Sequence, residues 1–556
     1  MHGRLRERID MKEKKQRKVQ PFHLAVCMVI GALLMLTILN ILFGDHWLDS
    51  DMAAEMIFSK LIAEEGGLLT TKNWYYSTEF RVLYTQLFMV PLFYVFKDWH
   101  VIRTITNILT YLLMLGSYYY FMKPLKLSKA AVVFSSVILL LPFSETFVTH
   151  MQFGNTYMPH VIIVFFCFGM FLRLAEQEKV IQMQKLFLAG CYILLSVVCG
   201  MSGVRYMLAL QVPLVLTAVC YVMKSRQFQG LRHELTLQGW KDTLAGERLN
   251  YLVYSLLGAF SALIGYVINV AVIAKKYPFQ TYDATNFIKV FQGVLVERMQ
   301  DTVANLLMLF GYIEEKGFLS LRGMISLIAF ALLIGIVLLT KRTSKLLKDV
   351  APGKVEAVEH KRFIQWFFVI AFILNTFVFI FTTSTIVSRY YITVFIFVLP
   401  LLCVYFELEE LPLDKLLVLL FLCGCLGLST MKCVYSFVDK DKNAEEKKVA
   451  AFLEQEGYSF GYASYWNANI LTELTDGAVE VANILEVEDM SYFRWSSPMK
   501  YYKDGYHAGK TFLLLTAEEM DKFAETEAVN LGQVVYEDEA YTVLHFDSVS
   551  AVPLGQ

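Results

Sequence analysis

Asp49, Asp51 and Glu55 fall within one short polar stretch, GDHWLDSDMAAEMIFSKLIAEEGGLLTTKNWYYSTEFR from Gly44 to Arg81, which also carries Glu79 and ends on Arg81. Carboxylates at this density can take a proton from an attacking hydroxyl, hold a cation or cap a helix. An arginine beside them can bind a phosphate or pair with an acid. Trp47, Trp74, Tyr75 and Tyr76 are interleaved with the charges, and such rings favour a membrane–water boundary. From Asp51 onward Ala54, Ile57, Phe58, Leu61 and Ile62 recur on one helical face, while Asp51, Glu55 and Ser59 share another. This pattern predicts a short helix in the membrane plane, apolar side down and carboxylates up. One of Asp49, Ser50 or Asp51 is accounted for as its N-cap. A cap needs one such residue, so the second acid and Glu55 remain to be explained.

These residues have to be positioned by a chain that is 56% hydrophobic and 18% charged over 556 residues. A soluble protein carries about 25% charged residues, so most of the chain belongs in lipid. The formal net charge of −1 conceals an asymmetry, because from Phe437 onward there are 22 acidic against 9 basic residues. The nine cysteines all lie in apolar segments, which excludes a disulfide framework and a zinc-finger spacing. Eight Lys or Arg in the first twenty residues precede an apolar run from His23 to Phe43. That run is a retained anchor with its N-terminus in the cytoplasm. Further spans are expected near 102–122, 130–148, 160–175, 186–201, 206–223, 251–274, 323–340, 363–381, 389–406 and 415–436. The expected domains are a basic cytoplasmic N-terminus (1–22), a membrane domain (23–437) with a first outer loop (44–81), and a soluble domain (438–556).

Val82–Phe96 is apolar but short for a span. If it does not cross, the inner loops carry roughly 27 basic residues and the outer ones about 13, as the positive-inside rule asks. If it does cross, the balance becomes about 18 inside and 22 outside. It is therefore expected to be a half-buried or re-entrant helix, which leaves eleven spans and an outward-facing tail. The outer face then gathers Glu145, His150, Asn155 and Tyr157 from PFSETFVTHMQFGNTYMPH. It also receives Arg205 from GMSGVR, a long segment over 275–322 with an in-plane helix near Asn286–Met299, and Arg389 with Tyr390 and Tyr391. Arginine at a span end is ordinarily an anchor that snorkels to the interface. Two of them on the outer face run against the charge bias, which marks Arg205 and Arg389 as ligand candidates.

Taken together, these features resemble the GT-C superfamily of integral-membrane glycosyltransferases, bacterial mannosyl- and arabinosyltransferases among them. The resemblance is carried by the acidic first outer loop DSDMAAEM, the short apolar helix RVLYTQLFMVPLFYVF and the late span start SRYYITVFIFVLP. It implies a polytopic helical enzyme of the bacterial cytoplasmic membrane that takes sugar from a polyprenyl-phosphate lipid on the outer leaflet. The acceptor would be a cell-envelope glycan or lipid. It also implies that an acid of the first loop, Asp49 or Asp51, acts as general base or holds the acceptor or a metal. Related enzymes often begin the short helix with Lys-Pro-Pro-Leu; here Glu79-Phe80-Arg81-Val82 stands there, with Arg81 as the available cation.

The residue types suit that chemistry independently of the resemblance. A carboxylate can deprotonate the acceptor hydroxyl as it attacks, and arginine can neutralise the leaving phosphate through bidentate hydrogen bonds. Trp74, Tyr76 and Tyr157 are candidates to stack on sugar faces, although at a membrane boundary such rings more often form an aromatic belt. Asp49-Ser50-Asp51 is a literal D-x-D, so Mg or Mn is the one cofactor to consider. No nucleotide-binding glycine loop is present, and nothing points to nucleic acid. A transporter or flippase for a lipid-linked sugar is the alternative, although no internal repeat is found and most spans carry no charge at their middle. A non-catalytic scaffold is a third. The tail is expected to be a small α/β domain: a helix over Lys442–Glu456, strands at Tyr458–Trp466, Thr511–Leu515, Gln533–Tyr536 and Ala540–Phe546, and a capping box at Thr516–Glu519. Trp466, Trp495 and Tyr501 are assigned to its core.

Overall fold

The structure is a computed structural model that describes residues 2–141, 144–176, 182–224, 248–279, 286–288, 293–313, 321–350, 355–488 and 490–555, with side chains described from Pro21 onward except at Leu321, Arg322, Met324 and Ile325. Parts of two expected features, the 275–322 segment and the helix near Asn286–Met299, lie outside the described residues. Within what is described, that helix runs over Val294–Leu309.

Helix α1 (His2–Phe43) shows why the first apolar run inserts. Ala25, Val29, Ala32, Leu36 and Leu39 pack inward, while Leu24, Ile30, Leu34, Ile38 and Leu42 are more than half exposed. An apolar face without protein contacts is what a lipid-solvated helix presents. Eight helices among the described residues are long and apolar enough to cross a membrane; Lys129–Leu140 with Glu145–Phe153, bent by 90°, makes a ninth. Eleven were expected; of the other two, Trp99–Met122 (helix α4) is a long helix outside this apolar set and Met207–Met223 is a shorter apolar helix, so the count agrees only roughly.

Between α1 and α4 lie α2 (Ser50–Glu64) and α3 (Gln86–Phe93). The Tyr94 hydroxyl donates to the Ala63 carbonyl at 3.1 Å, and Phe93 meets Trp99 edge-to-face at 5.6 Å. Thus the end of α3 lies beside the end of α2 and the start of α4, on the side where the tail domain docks. Eight residues of helix span about 12 Å, well short of the roughly 30 Å hydrocarbon core. The far end of α4 reaches the opposite side, where Arg173 Nη2 donates to the Tyr120 carbonyl at 2.7 Å.

The tail carries a five-stranded mixed sheet in the order β3-β2-β5-β7-β6. Its strands are β2 (Phe460–Ser464), β3 (Glu480–Ile484), β5 (Thr511–Thr516), β6 (Gln533–Glu537) and β7 (Tyr541–Phe546). β2 is parallel to β3 and β5, and β7 is antiparallel to β5 and β6. The expected helix forms over Ala444–Gln455, and Thr516 and Glu519 make the reciprocal capping box. The first expected strand stops at Ser464, and a helix, Tyr465–Leu474, begins where its continuation was expected. Tyr501 is in the core, but Trp466 is 64% exposed because it starts that helix on its outer side, and Trp495 is half-buried against Phe493.

A second, two-stranded sheet joins the two domains: β1 (Trp74–Tyr75) from the first loop pairs antiparallel with β4 (Ser497–Pro498) from the tail.

Candidate functional site

Asp49 is the N-cap of α2, its Oδ1 accepting from the Met52 N–H at 2.8 Å. The helix faces differ from the expected in-plane arrangement. Ser50, Met52, Ala53 and Met56 are as buried as Ile57, Leu61 and Ile62, because the tail covers the side expected to face water. The cover is the helix Tyr465–Leu474. Ser50 Oγ donates to the Tyr465 carbonyl at 2.5 Å, Asn469 Nδ2 donates to Ser50 Oγ at 3.0 Å, and the Tyr465 hydroxyl donates to Asp51 Oδ1 at 2.6 Å. One turn further, Arg103 of α4 grips Glu473 through Nε at 2.6 Å and Nη2 at 2.5 Å, and Nη2 also donates to the Met52 carbonyl at 3.0 Å. The pair is 5% exposed on each side. A buried bidentate pair of this kind costs desolvation to form and is destabilising to break.

Burial and the negative charge of Asp51 push the Asp49 carboxyl up to about 7, against the Met52 hydrogen bond and the charges of Arg103 and Arg389. Burial raises Glu55 as well, opposed by Arg81. The D-x-D acids therefore have separate partners, Asp49 the helix start and Asp51 the tail. Among the described residues no three His, Cys, Asp or Glu side chains converge to hold a metal ion.

From Glu55 a chain of alternating charges runs along the membrane side. Arg81 pairs with Glu55 and lies 3.8 Å from Glu79, and Glu79 pairs with Arg205. The Arg81 guanidinium also sits 4.6 Å from the Tyr84 ring centre. The Arg205 guanidinium lies 4.9 Å from the ring centre of Tyr157 and 5.2 Å from that of Tyr390, distances that suit cation–π attraction. Four acids and bases expected to bind ligand thus hold one another. Glu79 Oε2, Arg81 Nε and the Tyr157 hydroxyl are buried with no hydrogen-bond partner among the described residues.

Arg389 is arranged differently. Its guanidinium is 5.9 Å from the Tyr390 ring centre, and among the described residues it makes no ion pair with a carboxylate. Its charge nevertheless reaches Asp49. The residue stands in a single 3₁₀ turn, Ser388–Tyr391, that opens the late span. Thr146 Oγ1 lies 3.2 Å from Ser388 Oγ and ties this turn to the Glu145–Phe153 segment, which carries His150.

Other expected ligands are occupied. Asn155 is 1% exposed, has φ +55° and donates its amide to Asn107, which in turn bonds Asn40 at 2.6 Å. It belongs to a buried polar network that fixes the loop, not to a cavity wall. His150 Nδ1 bonds Thr156 Oγ1 at 2.6 Å. Trp74 and Tyr76, each 4% exposed, pack on Phe58 at 5.2 and 5.7 Å between ring centres. They line a cavity of about 30 Å³ with Glu55, Glu79, Arg81 and Ser496. This is room for a water or two, too little for a sugar ring, so both rings are packing residues here. Glu145 is exposed, and its charge and that of Asp49 both act on Lys442, which caps the Trp47 ring at 3.4 Å.

Tyr465, Glu473, Arg103 and Lys442 were not among the expected site residues. Only Tyr465 left a local sign: Ser464 stands at an N-cap position ahead of Ala468 and Leu471 at helical spacing.

An apolar cleft of about 700 Å³ opens between the helices Leu321–Asp349, Val398–Leu408 and Pro412–Asp439. Phe147 and Phe395 line it. They belong to the segments that carry His150 and Arg389, so the cleft approaches the site from within the bundle.

No protein-family model matches the chain, and a search of curated proteins finds no match. Among solved structures, the crystal structure of ArnT from Cupriavidus metallidurans bound to undecaprenyl phosphate is similar over 96% of this chain and 99% of that one, at 14% identity and a TM-score of 0.41. Its apo state matches over the same shares at 13% identity and a TM-score of 0.41. The Archaeoglobus fulgidus oligosaccharyltransferase, in complex with Zn and sulfate, matches over 94% of this chain and 74% of that one, at 11% identity and a TM-score of 0.43. At these identities and scores no residue is carried over from them to this chain.

Proposed function

We propose that this protein is a membrane glycosyltransferase that moves a hexosyl or pentosyl unit from a polyprenyl-phosphate donor to a hydroxyl of a cell-envelope glycan or lipid. The observation that carries this reading is the pairing of Asp49, a buried helix cap whose carboxyl is raised to about 7, with Arg389, whose charge acts on it and which makes no ion pair with a carboxylate among the described residues. The acceptor oxygen attacks the anomeric carbon while its proton passes to the Asp49 carboxylate, whose affinity for a proton suits work near neutral pH. The bond from the anomeric carbon to the phosphate oxygen breaks, and the lipid phosphate leaves with its added charge on Arg389. The apolar cleft below Phe147 and Phe395 suits the polyprenyl chain, and the Glu55–Arg81–Glu79–Arg205 chain holds the membrane wall of the site in place.

The test is turnover by purified protein of a synthetic polyprenyl-phosphate sugar, read as released polyprenyl phosphate and glycosylated acceptor. Movement of the intact donor between leaflets without phosphate release would favour the flippase. The reading also places the N-terminus in the bacterial cytoplasm and the tail outside. Cysteines replacing Lys72 and Ser344 in a cysteine-free background should be labelled from outside and protected, respectively; the reverse pattern overturns the orientation.

A further inference from the structure

The tail domain contributes one hydroxyl directly to the acidic pair, and nothing in the proposed reaction uses it. We propose that Tyr465 is a positioning residue of this site, its hydroxyl holding Asp51 beside Asp49 so that the tail domain completes the acid pair. This inference rests on the reading of Asp49 as the base.

The geometry is specific. The Tyr465 hydroxyl donates to Asp51 Oδ1 at 2.6 Å, its backbone carbonyl accepts from Ser50 Oγ, and its ring packs edge-to-face on Phe493 at 5.7 Å and Trp466 at 5.2 Å. The side chain is 8% exposed, so the hydroxyl has little water to exchange its acceptor for. Burial and the Asp51 charge push the phenol up, which keeps it protonated and a donor. Asp51 in turn raises Asp49 through space. The other groups that face Asp49 are the Met52 N–H from its own helix, Arg103 from α4, Arg389 from the Ser388–Tyr391 turn, and Lys442 and Tyr465 from the tail side. All of these except Tyr465 are positive or donate to Asp49 itself, so each favours its ionised form. Asp51 is the charge that opposes them, and Tyr465 fixes where that charge sits. The tail thereby acts on the basicity of Asp49 through Asp51.

Tyr465→Phe removes only the hydroxyl. It should lower kcat about tenfold, the loss of one hydrogen bond to a charged group, leave the donor KM within about twofold, and move the acid limb of the kcat/KM profile to lower pH by about half a unit. In an Asp51→Asn background the same change should add nothing, because the partner through which it acts is gone. Asn469→Ala breaks a neighbouring docking contact, the bond to Ser50 Oγ, and should leave the acid limb in place. Isotope-edited infrared titration of the aspartate carboxyls gives a readout without turnover, in which Tyr465→Phe should lower the Asp49 midpoint. An unchanged midpoint in Tyr465→Phe overturns the inference, as does an undiminished effect in the Asp51→Asn background or an equal shift in Asn469→Ala. Absence of turnover by the wild-type protein would overturn the proposed function instead, and the infrared midpoint would still decide this inference.

Discussion

Arg103 and Arg389 both act on Asp49, and their surroundings differ in kind. Arg103 is 4% exposed, bidentate on Glu473 through Nε and Nη2, and bonded to the Met52 carbonyl through Nη2. Arg389 has an aromatic edge and no carboxylate among the described residues. A guanidinium with a matched acid ties two elements together. One without is available to an anion that the chain does not itself supply. The contrast separates the half of the site that docks the tail from the half that faces the membrane bundle.

The comparison breaks most visibly at Arg103. Glu473→Ala leaves its charge buried and unpaired, which should cost about 3–5 kcal/mol and lower the thermal midpoint of the detergent-solubilised protein. Arg389→Ala should leave that midpoint almost unmoved while weakening binding of the polyprenyl phosphate by about 1.5–3 kcal/mol. Arg389→Lys should fall between, since a point charge lacks the planar fork. Equal loss of stability in the two alanine variants would erase the distinction. The smallest expected effect is in pH. With Asp49 at about 7 and active when ionised, kcat/KM should rise as pH passes upward through 7. In Asp51→Asn the raising charge is removed, so the rise should come at lower pH.

Much of this was written locally in the chain. The period of Ala54, Ile57, Phe58, Leu61 and Ile62 gave a helix, and α2 begins beside Asp49, the residue better placed as cap. The shortness of Val82–Phe96 and the count of basic residues separated α3 from the spans. Long-range facts were not written there. The sequence does not choose between Asp49 and Asp51 as the base, whereas in the structure burial and the charge of Asp51 raise Asp49. What distinguishes the two acids includes the tail, whose Tyr465, 414 residues distant along the chain, engages Asp51. Trp466 was misassigned for a related reason. Its neighbours Tyr462 and Ala463 alternate like a strand, and only the helix packed on Ser50 ends that strand at Ser464. Trp74 and Tyr76 carry the composition of a sugar-stacking platform, and only the packing on Phe58 shows that their faces are covered.

The central claim is that Asp49 is a base and not solely a cap. Asn caps a helix start almost as well as Asp, so Asp49→Asn separates the two roles at nearly constant shape. Turnover of the polyprenyl-phosphate sugar, measured beside thermal stability and donor binding, should fall by about 10²–10⁴ in this variant, the share that general-base catalysis supplies, with stability and binding retained. Near-wild-type turnover in Asp49→Asn would contradict the account.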